Sequence, residues 1–513
     1  ETTGARAALL LDLGDALSVR SITSWRRHQS ETRLDLDATA LSLLESTLDA
    51  GGDELDALAQ ELQLIGTAWD DRLDYVVGLF GYKETTDARS YGGSATRTPL
   101  RLSEDASIEL FGIGRMPFQT AFSDPAQAGL RAELLGTAVT LDPRATDGPF
   151  PGQRLLTQAD LDSALASGAS IPPVFLPGAI ALSRLASDEL SYAAYTQLKY
   201  AVTDSLAATL GLRFTHERRR LAREIRALTP GLIGLDVRRA GELDFGFERS
   251  ARFDAWTPLV NLSYRASDEV LVYASYSRGF QGGRFNAQAS APELTGPLGS
   301  ERVTLYQLGI KSSWLDRALV LNAVLFYGLD DDLQLLLPRG APGELELRPQ
   351  SADVSMRGAE LEVSASVWRA LLLNANLSVL DAHYTSFRDP DDARARERRP
   401  IATPPYSLTV AATWLEDLGS AGELSLRTEW THESATATDV LDTRRLRQSK
   451  HGELAATLTW SLADGRTQLV VFGRNLLDRT YVSDSLGFRD SFGHGIRYFS
   501  EPRSYGLEIR RSF

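Results

Sequence analysis

Leu206-Ala207-Ala208-Thr209-Leu210-Gly211-Leu212-Arg213-Phe214-Thr215 decides how this chain folds. Leu206, Ala208, Leu210, Leu212 and Phe214 fall on one side of an extended backbone. Ala207, Thr209, Gly211, Arg213 and Thr215 fall on the other. A period of two belongs to a strand whose faces meet different surroundings. Roughly ten residues is also the length at which a tilted strand crosses a bilayer. An outward Arg213 near the midplane would cost about 2–4 kcal/mol, so its face is expected to meet water or a polar filling. The same alternation recurs in Tyr306 to Trp314. It recurs again where Ala359, Leu361, Val363 and Ala365 oppose Gly358, Glu360, Glu362, Ser364 and Ser366.

Connections between such segments come in two sizes. Short polar turns fall at Asp12 to Asp15, Asp70 to Arg72, Val202 to Ser205, Ala266 to Glu269, Leu315 to Arg317, Val367 to Arg369, Leu415 to Gly422 and Ala463 to Gly465. Long connections are expected at 28–57, 87–187, 218–255, 280–300, 331–352, 384–404, 432–451 and 478–504. Asp, Ser and Gly suit the turns because they bond the local backbone or accept unusual torsions. Alternating short and long connections describe a sheet with two rims in different compartments, a tight periplasmic rim and a looped external one. The 87–187 connection far exceeds ordinary loop length and is read as an extracellular lid, with Gln158 to Gly168 as a short helix inside it.

Composition narrows the alternatives. Hydrophobic residues make up 43% of 513 residues and mean hydropathy is −0.18, and no continuous apolar run is long enough for a spanning helix. Cysteine is absent, which removes disulfides, thiolate metal sites and Cys nucleophiles. A formal charge of −14 gives no basic field for nucleic acid. The chain opens at Glu1 without an initiator Met or a secretory leader, so processing or truncation is expected to have removed what came before. No linker divides the chain, and residues 1–513 read as one all-β unit, a large antiparallel transmembrane β-barrel.

Trp69, Trp314, Trp368, Trp414 and Trp460 cluster near the short turns, and Trp25 and Trp430 sit at the opposite strand ends. Indole favours the headgroup level, so this spacing reads as two aromatic girdles. Counting hairpins gives about 17 strands, whereas bacterial single-chain barrels have an even number. An odd number of strands is therefore expected to precede Glu1.

Several segments resemble one family. Leu73 to Phe80, Tyr200 to Thr215, Tyr273-Ala274-Ser275-Tyr276-Ser277-Arg278-Gly279-Phe280-Gln281-Gly282-Gly283-Arg284-Phe285-Asn286, Arg357 to Glu362 and Asn475 to Tyr481 follow, in order, the motifs of TonB-dependent outer-membrane receptors of the siderophore type. The resemblance implies a barrel of about 22 strands closed by an N-terminal plug, of which about 17 strands are present and the plug is not. It implies an outer-membrane transporter taking up a ferric siderophore or similar scarce chelate. Coupling to the TonB energy-transducing protein would run only through the missing N-terminal region. The alternative is a passive, unplugged pore or non-transporting barrel fragment.

Arg278, Gln281, Arg284 and Asn286 lie on the glycine-rich motif and are the expected ligand contacts, with closure of a strand end as the plainer role. Arg218, Arg219 and Arg220, and Arg444, Arg445 and Arg447, are basic stretches on the external side. Guanidinium suits phosphate, so they are candidate lipopolysaccharide contacts, with ordinary loop charge as the alternative. Tyr505, Leu507, Ile509 and Phe513 share a face of the last strand, resembling the signal read by the barrel-assembly machinery. Asp330-Asp331-Asp332 is expected to open a loop as solvated charge, since it lacks EF-hand spacing. The six histidines, His28, His216, His383, His432, His451 and His494, are scattered without ligand spacing. No catalytic residue, metal site or cofactor is assigned, and no enzymatic activity is expected.

Overall fold

A computed structural model describes residues 1–35, 44–94, 180–227, 243–289, 292–339, 346–368, 370–389, 392–488 and 494–512, with short pieces between 99 and 175 and between 231 and 238. Seventeen strands form one sheet. They are β1 (Thr2–Gly14), β2 (Leu17–Asp35), β3 (Leu44–Ala68), β4 (Leu73–Ser94), β5 (Ile180–Ala201), β6 (Leu206–Ala227), β7 (Leu243–Arg265), β8 (Val270–Gln281) and β9 (Glu301–Trp314). There follow β10 (Leu319–Arg339), β11 (Glu346–Trp368), β12 (Leu371–Phe387), β13 (Tyr406–Asp417), β14 (Glu423–Glu433), β15 (His451–Ser461), β16 (Thr467–Arg474) and β17 (Ser504–Arg511). Each pairs antiparallel with its sequence neighbour from β1 to β17. Among the described residues no pairing joins β1 to β17.

The expected alternation holds in space. Leu210, Leu212, Val260, Leu262, Leu308 and Leu325 are exposed on the outer face, while Arg213 and Thr215 line the inner one. A soluble protein does not leave so continuous an apolar band open to water, so the band is the lipid-facing surface. Trp69 and Trp368, each 68% exposed, mark the short-turn rim with Trp314 and Trp414. Trp25, Trp256 and Trp430 mark the other rim, where Phe214 and Trp256 pack at 4.8 Å between ring centres.

Tight turns close the first rim. Leu315, Asp316 and Arg317 all take positive φ, as do Trp69, Asp70 and Asp71. In the turn between β15 and β16, Asp464 accepts bonds from the amides of Arg466 and Thr467 at 2.9 and 2.8 Å and from the Thr467 hydroxyl at 2.7 Å. The hydroxyl first, then the two amides, hold the Asp464 carboxyl below the usual range.

Several expected long connections are largely strand. β2 runs to Asp35 and β3 starts at Leu44; β6 runs to Ala227, past the expected boundary at 218. The large connection narrows to 95–179. Beyond the bilayer both faces of a strand meet water, so alternation fades while the backbone ladder continues. Asp330-Asp331-Asp332 does not open a loop either. It forms a bulge inside β10, where pairing with β11 slips between Asp330 and Leu333 and Asp332 takes φ 62°. The segment Gln158 to Gly168 lies almost wholly outside the described residues, as does Phe513.

On the inner wall, glycines face aromatic rings. Tyr195 lies over Gly78, Tyr273 over Gly309, Phe326 over Gly358 and Phe472 over Gly506, each pair directly opposite in register. A Cβ on Gly78 would stand 2.1 Å from the Tyr195 ring, and one on Gly309 2.3 Å from the Tyr273 ring. These rings lie flat across the neighbouring strand because glycine leaves the space. Gly78→Ala is expected to destabilise the folded barrel by about 1–3 kcal/mol through overpacking. Gly81→Ala, where the space is open, is expected to be close to neutral, both read from urea unfolding in detergent.

Candidate ligand site on the inner wall

Beyond the outer girdle the wall turns in on itself. After β8 the chain leaves the sheet at Gly282 and Gly283 and folds over the inner faces of β6 and β7. Phe285, Ala289 and Leu294 pack there against Leu221 and Phe247. Gly283 permits the approach, since a Cβ would meet the Leu298 carbonyl at 2.2 Å and the Phe253 ring at 2.3 Å. Leu335, Leu337, Val354, Tyr384 and Phe387 form a second core at the same end of β10, β11 and β12.

Arg219 ties the inturned segment to the wall. Its guanidinium donates to the Gly282 and Gly283 carbonyls at 3.4 and 3.3 Å. It also pairs with Glu189 of β5 at 3.3 Å and Glu217 at 3.0 Å. Burial pushes the Glu189 carboxyl up, Arg219 pulls it down, and nearby Glu217 adds to the rise. Just below, Arg213 stacks over Phe80 at 5.3 Å and Tyr195 at 5.6 Å. Tyr195 donates to Glu61 at 2.5 Å and accepts from Gln63 at 2.9 Å. Phe80, Glu189, Arg213 and Glu217, together with Tyr82, Thr257 and the end of β8, line a cavity of about 500 Å³. Its walls offer cationic, anionic and aromatic surface within one concavity, on a scale suited to a small molecule.

The four expected contact residues separate. Arg278 borders the cavity through its strand, but it lies two residues along from outward Tyr276 and opposite Thr304. Its side chain therefore takes the outward row, where Nε donates to Thr304 Oγ1 at 3.4 Å. Gln281 is exposed at the end of β8. Arg284 instead donates to the Gln334 carbonyl at 3.1 Å. Asn286 is 2% exposed; its amide donates to the Leu347 carbonyl at 2.7 Å and its Oδ1 accepts from the Gln288 amide at 3.0 Å. Arg284 and Asn286 thus fasten the inturned segment to β10 and β11. Gln334 completes the fastening with bonds to the Gly282 and Gly299 carbonyls at 3.2 and 3.0 Å.

The basic stretches separate too. Arg219 faces inward, while Arg218 and Arg220 face outward on the same strand. Arg444 and Arg445 are exposed, but Arg447 is held by Asp442 at 2.6 Å. Sequence reasoning did not single out Phe80, Glu189 or Glu217. Each lies at an inward position of an alternating strand, which is the signal that marks them. Among the described residues no group of three His, Asp or Glu side chains is arranged to hold a metal.

Residues 9–476 match the family described as TonB dependent receptor-like, beta-barrel. The chain belongs to that family. Among solved structures it resembles the ferric yersiniabactin uptake receptor FyuA from Yersinia pestis, with 17% identity and a TM-score of 0.68, over 100% of this chain and 61% of that one. It also resembles the siderophore receptor PiuA from Acinetobacter baumannii, with 13% identity and a TM-score of 0.63, over 99% and 64%. A third is the ferric-catecholate import receptor Fiu from K12 E. coli, with 13% identity and a TM-score of 0.62, over 100% and 64%. At these identities the likeness is one of fold. The chain spans about three-fifths of the length of these receptors.

Two predictions follow from the rim. Arg219→Gln is expected to cost about 2–4 kcal/mol, because it leaves two partly buried carboxylates facing each other. Arg219→Lys should recover part of that by keeping the charge while losing the fork; proteolysis within 282–298 reads both. Asp330 is buried beyond the outer girdle, and burial first, then Glu301, Asp331 and Asp353, push its carboxyl up to about 7. Its folded pKa exceeds the ordinary 3.8, so stability falls as pH climbs from about 4 to about 7. Asp330→Asn is therefore expected to raise the unfolding midpoint at pH 8 and to leave it unchanged near pH 4.

Proposed function

We propose that this chain forms the wall of an outer-membrane transporter for a ferric siderophore or similar scarce chelate. The observation that carries this reading is the family match over 9–476 on a wall whose inner face holds the Arg213 and Glu217 cavity at the level of the outer girdle. FyuA, PiuA and Fiu are named for iron chelates, which supports the same class of cargo. Arg213 is the proposed cargo contact on the inner face, with Gln281 at an inward position of the end of β8; Arg278 borders the cavity from the outward row. Arg284, Asn286 and Arg219 hold the inturned segment. Uptake in this reading draws on energy coupling through TonB. Tyr505, Leu507 and Ile509, all outward on β17, are proposed as the surface met by the barrel-assembly machinery.

The test is uptake of a panel of radiolabelled ferric chelates by cells that lack their own receptors and express the complete gene product. Energised cells are expected to accumulate one chelate class and an uncoupler to abolish this. Arg213→Ala is expected to weaken binding of that chelate roughly tenfold, the order of a lost, desolvated cation–π contact. Uptake equal to that of empty-vector cells, alongside large ungated conductance in planar bilayers, would replace this reading with a passive pore.

A further inference from the structure

The outer face carries a basic row that the transport reading does not use. Lys83 on β4, Leu190 on β5, Arg218 on β6 and Arg252 on β7 are consecutive partners in register. All four point outward, and Lys83, Arg218 and Arg252 are exposed. Toward the membrane the next row holds Tyr192, His216 and Asp254, and the row below that holds Leu79, Phe214 and Trp256. The basic row therefore lies one step past the exposed ring of Tyr192 and two past that of Trp256. It lies about one hydrophobic thickness from the short-turn rim, at the level of lipid headgroups.

Four other outward arginines each have a carboxylate. Arg27 pairs with Asp56 at 3.0 Å, Arg184 with Asp87 at 2.8 Å, Arg220 with Glu248 at 2.9 Å and Arg357 with Asp381 at 2.8 Å. Among the described residues no carboxylate stands within ion-pair distance of Lys83, Arg218 or Arg252. Asp254, two residues along from Arg252, is engaged by His216 Nδ1 at 2.6 Å. Arg218 and Arg252 sit directly opposite each other, and like charges so placed repel across the roughly 5 Å between their Cβ atoms. An external anion would relieve the repulsion, and the anions at this depth and on this face are those of lipid headgroups.

We propose that Lys83, Arg218 and Arg252 form a binding site for the phosphate groups of lipopolysaccharide in the outer leaflet, with Tyr192 and Trp256 against its acyl region. Guanidinium forks and an ammonium over a membrane-level aromatic pair match a phosphorylated headgroup on an acylated body. The site rests on outer-membrane placement of the wall and not on the identity of any cargo, so it stands or falls separately from chelate uptake.

The experiment compares the full chain with a Lys83→Gln, Arg218→Gln, Arg252→Gln variant, both extracted from outer membranes and washed in detergent. Co-purifying lipopolysaccharide is measured by its hydroxylated fatty acids. The expected result is a roughly tenfold loss in the variant, three headgroup-level charges being removed. Arg357→Gln, an outward arginine with its own carboxylate, should retain lipopolysaccharide like the parent. Folding is checked in every sample by the mobility shift of unheated barrel. Delipidated parent is then offered bis-phosphorylated lipid A, dephosphorylated lipid A or inorganic phosphate. Binding of the first alone is expected. Unchanged retention in the triple variant, equal loss in Arg357→Gln, or equal binding of dephosphorylated lipid A would each overturn the site. Binding of inorganic phosphate as tight as that of lipid A would overturn the lipid as its ligand. Should the triple variant fail the mobility check, Arg218→Gln alone is measured, with at least a severalfold loss expected and full retention counting against the site.

Discussion

In hydrocarbon a backbone amide has no water to bond, so each strand of a spanning sheet must satisfy its peptide groups through its lateral neighbours. That demand fixes most of this molecule. It forces unbroken antiparallel pairing from β1 to β17, and the pairing carries one strand's register into the next. Register then decides what meets lipid, because a slip of one residue would turn every apolar side chain inward. β1 and β17 run in the same direction, so direct closure between them would be parallel. Antiparallel closure takes an odd number of further strands.

Because the lipid supplies the apolar environment, the wall needs no core at membrane depth, and its packing there is between neighbours on one face. Inside, flat aromatic rings over glycine give the wall its thickness without a second layer. Among the described residues, the cores around Phe285 and around Tyr384 lie beyond the outer girdle. There the strands outlast the bilayer and the chain turns back on its own inner surface. This is also where charge stands on both faces and where the basic row is found, while the cavity reaches up to it from girdle level.

Legibility in the sequence follows the same division. Within the bilayer the two solvents write themselves into alternate positions, so the strands, short turns and girdle tryptophans could be read directly. Beyond it polar residues fall on both faces of β2, β3 and β6, the period fades, and these strand ends read as connections. The roles of Arg284 and Asn286 were hidden for another reason. Their partners, the carbonyls of Gln334 and Leu347, are distant in sequence and are brought near only by the inward fold. The glycines of that motif did announce a close backbone approach, and Gly283 makes one, but nothing local says against which strand.

The basic run on β6 shows how far alternation reaches once the strand is known to continue. Arg218, Arg219 and Arg220 look like one patch in the sequence, yet a strand cannot present consecutive side chains to one partner. Arg219 goes inward to Glu189, Glu217 and the inturned backbone; Arg220 goes outward to Glu248; Arg218 goes outward to face Arg252. Three neighbours thus meet three environments: the inturned segment, an outward counter-charge and a like charge across the outer face. A wall one residue thick can present different chemistry to its lumen and to lipid because the two sets of side chains fall on alternate positions. Changing either set leaves the other, and the ladder between them, in place.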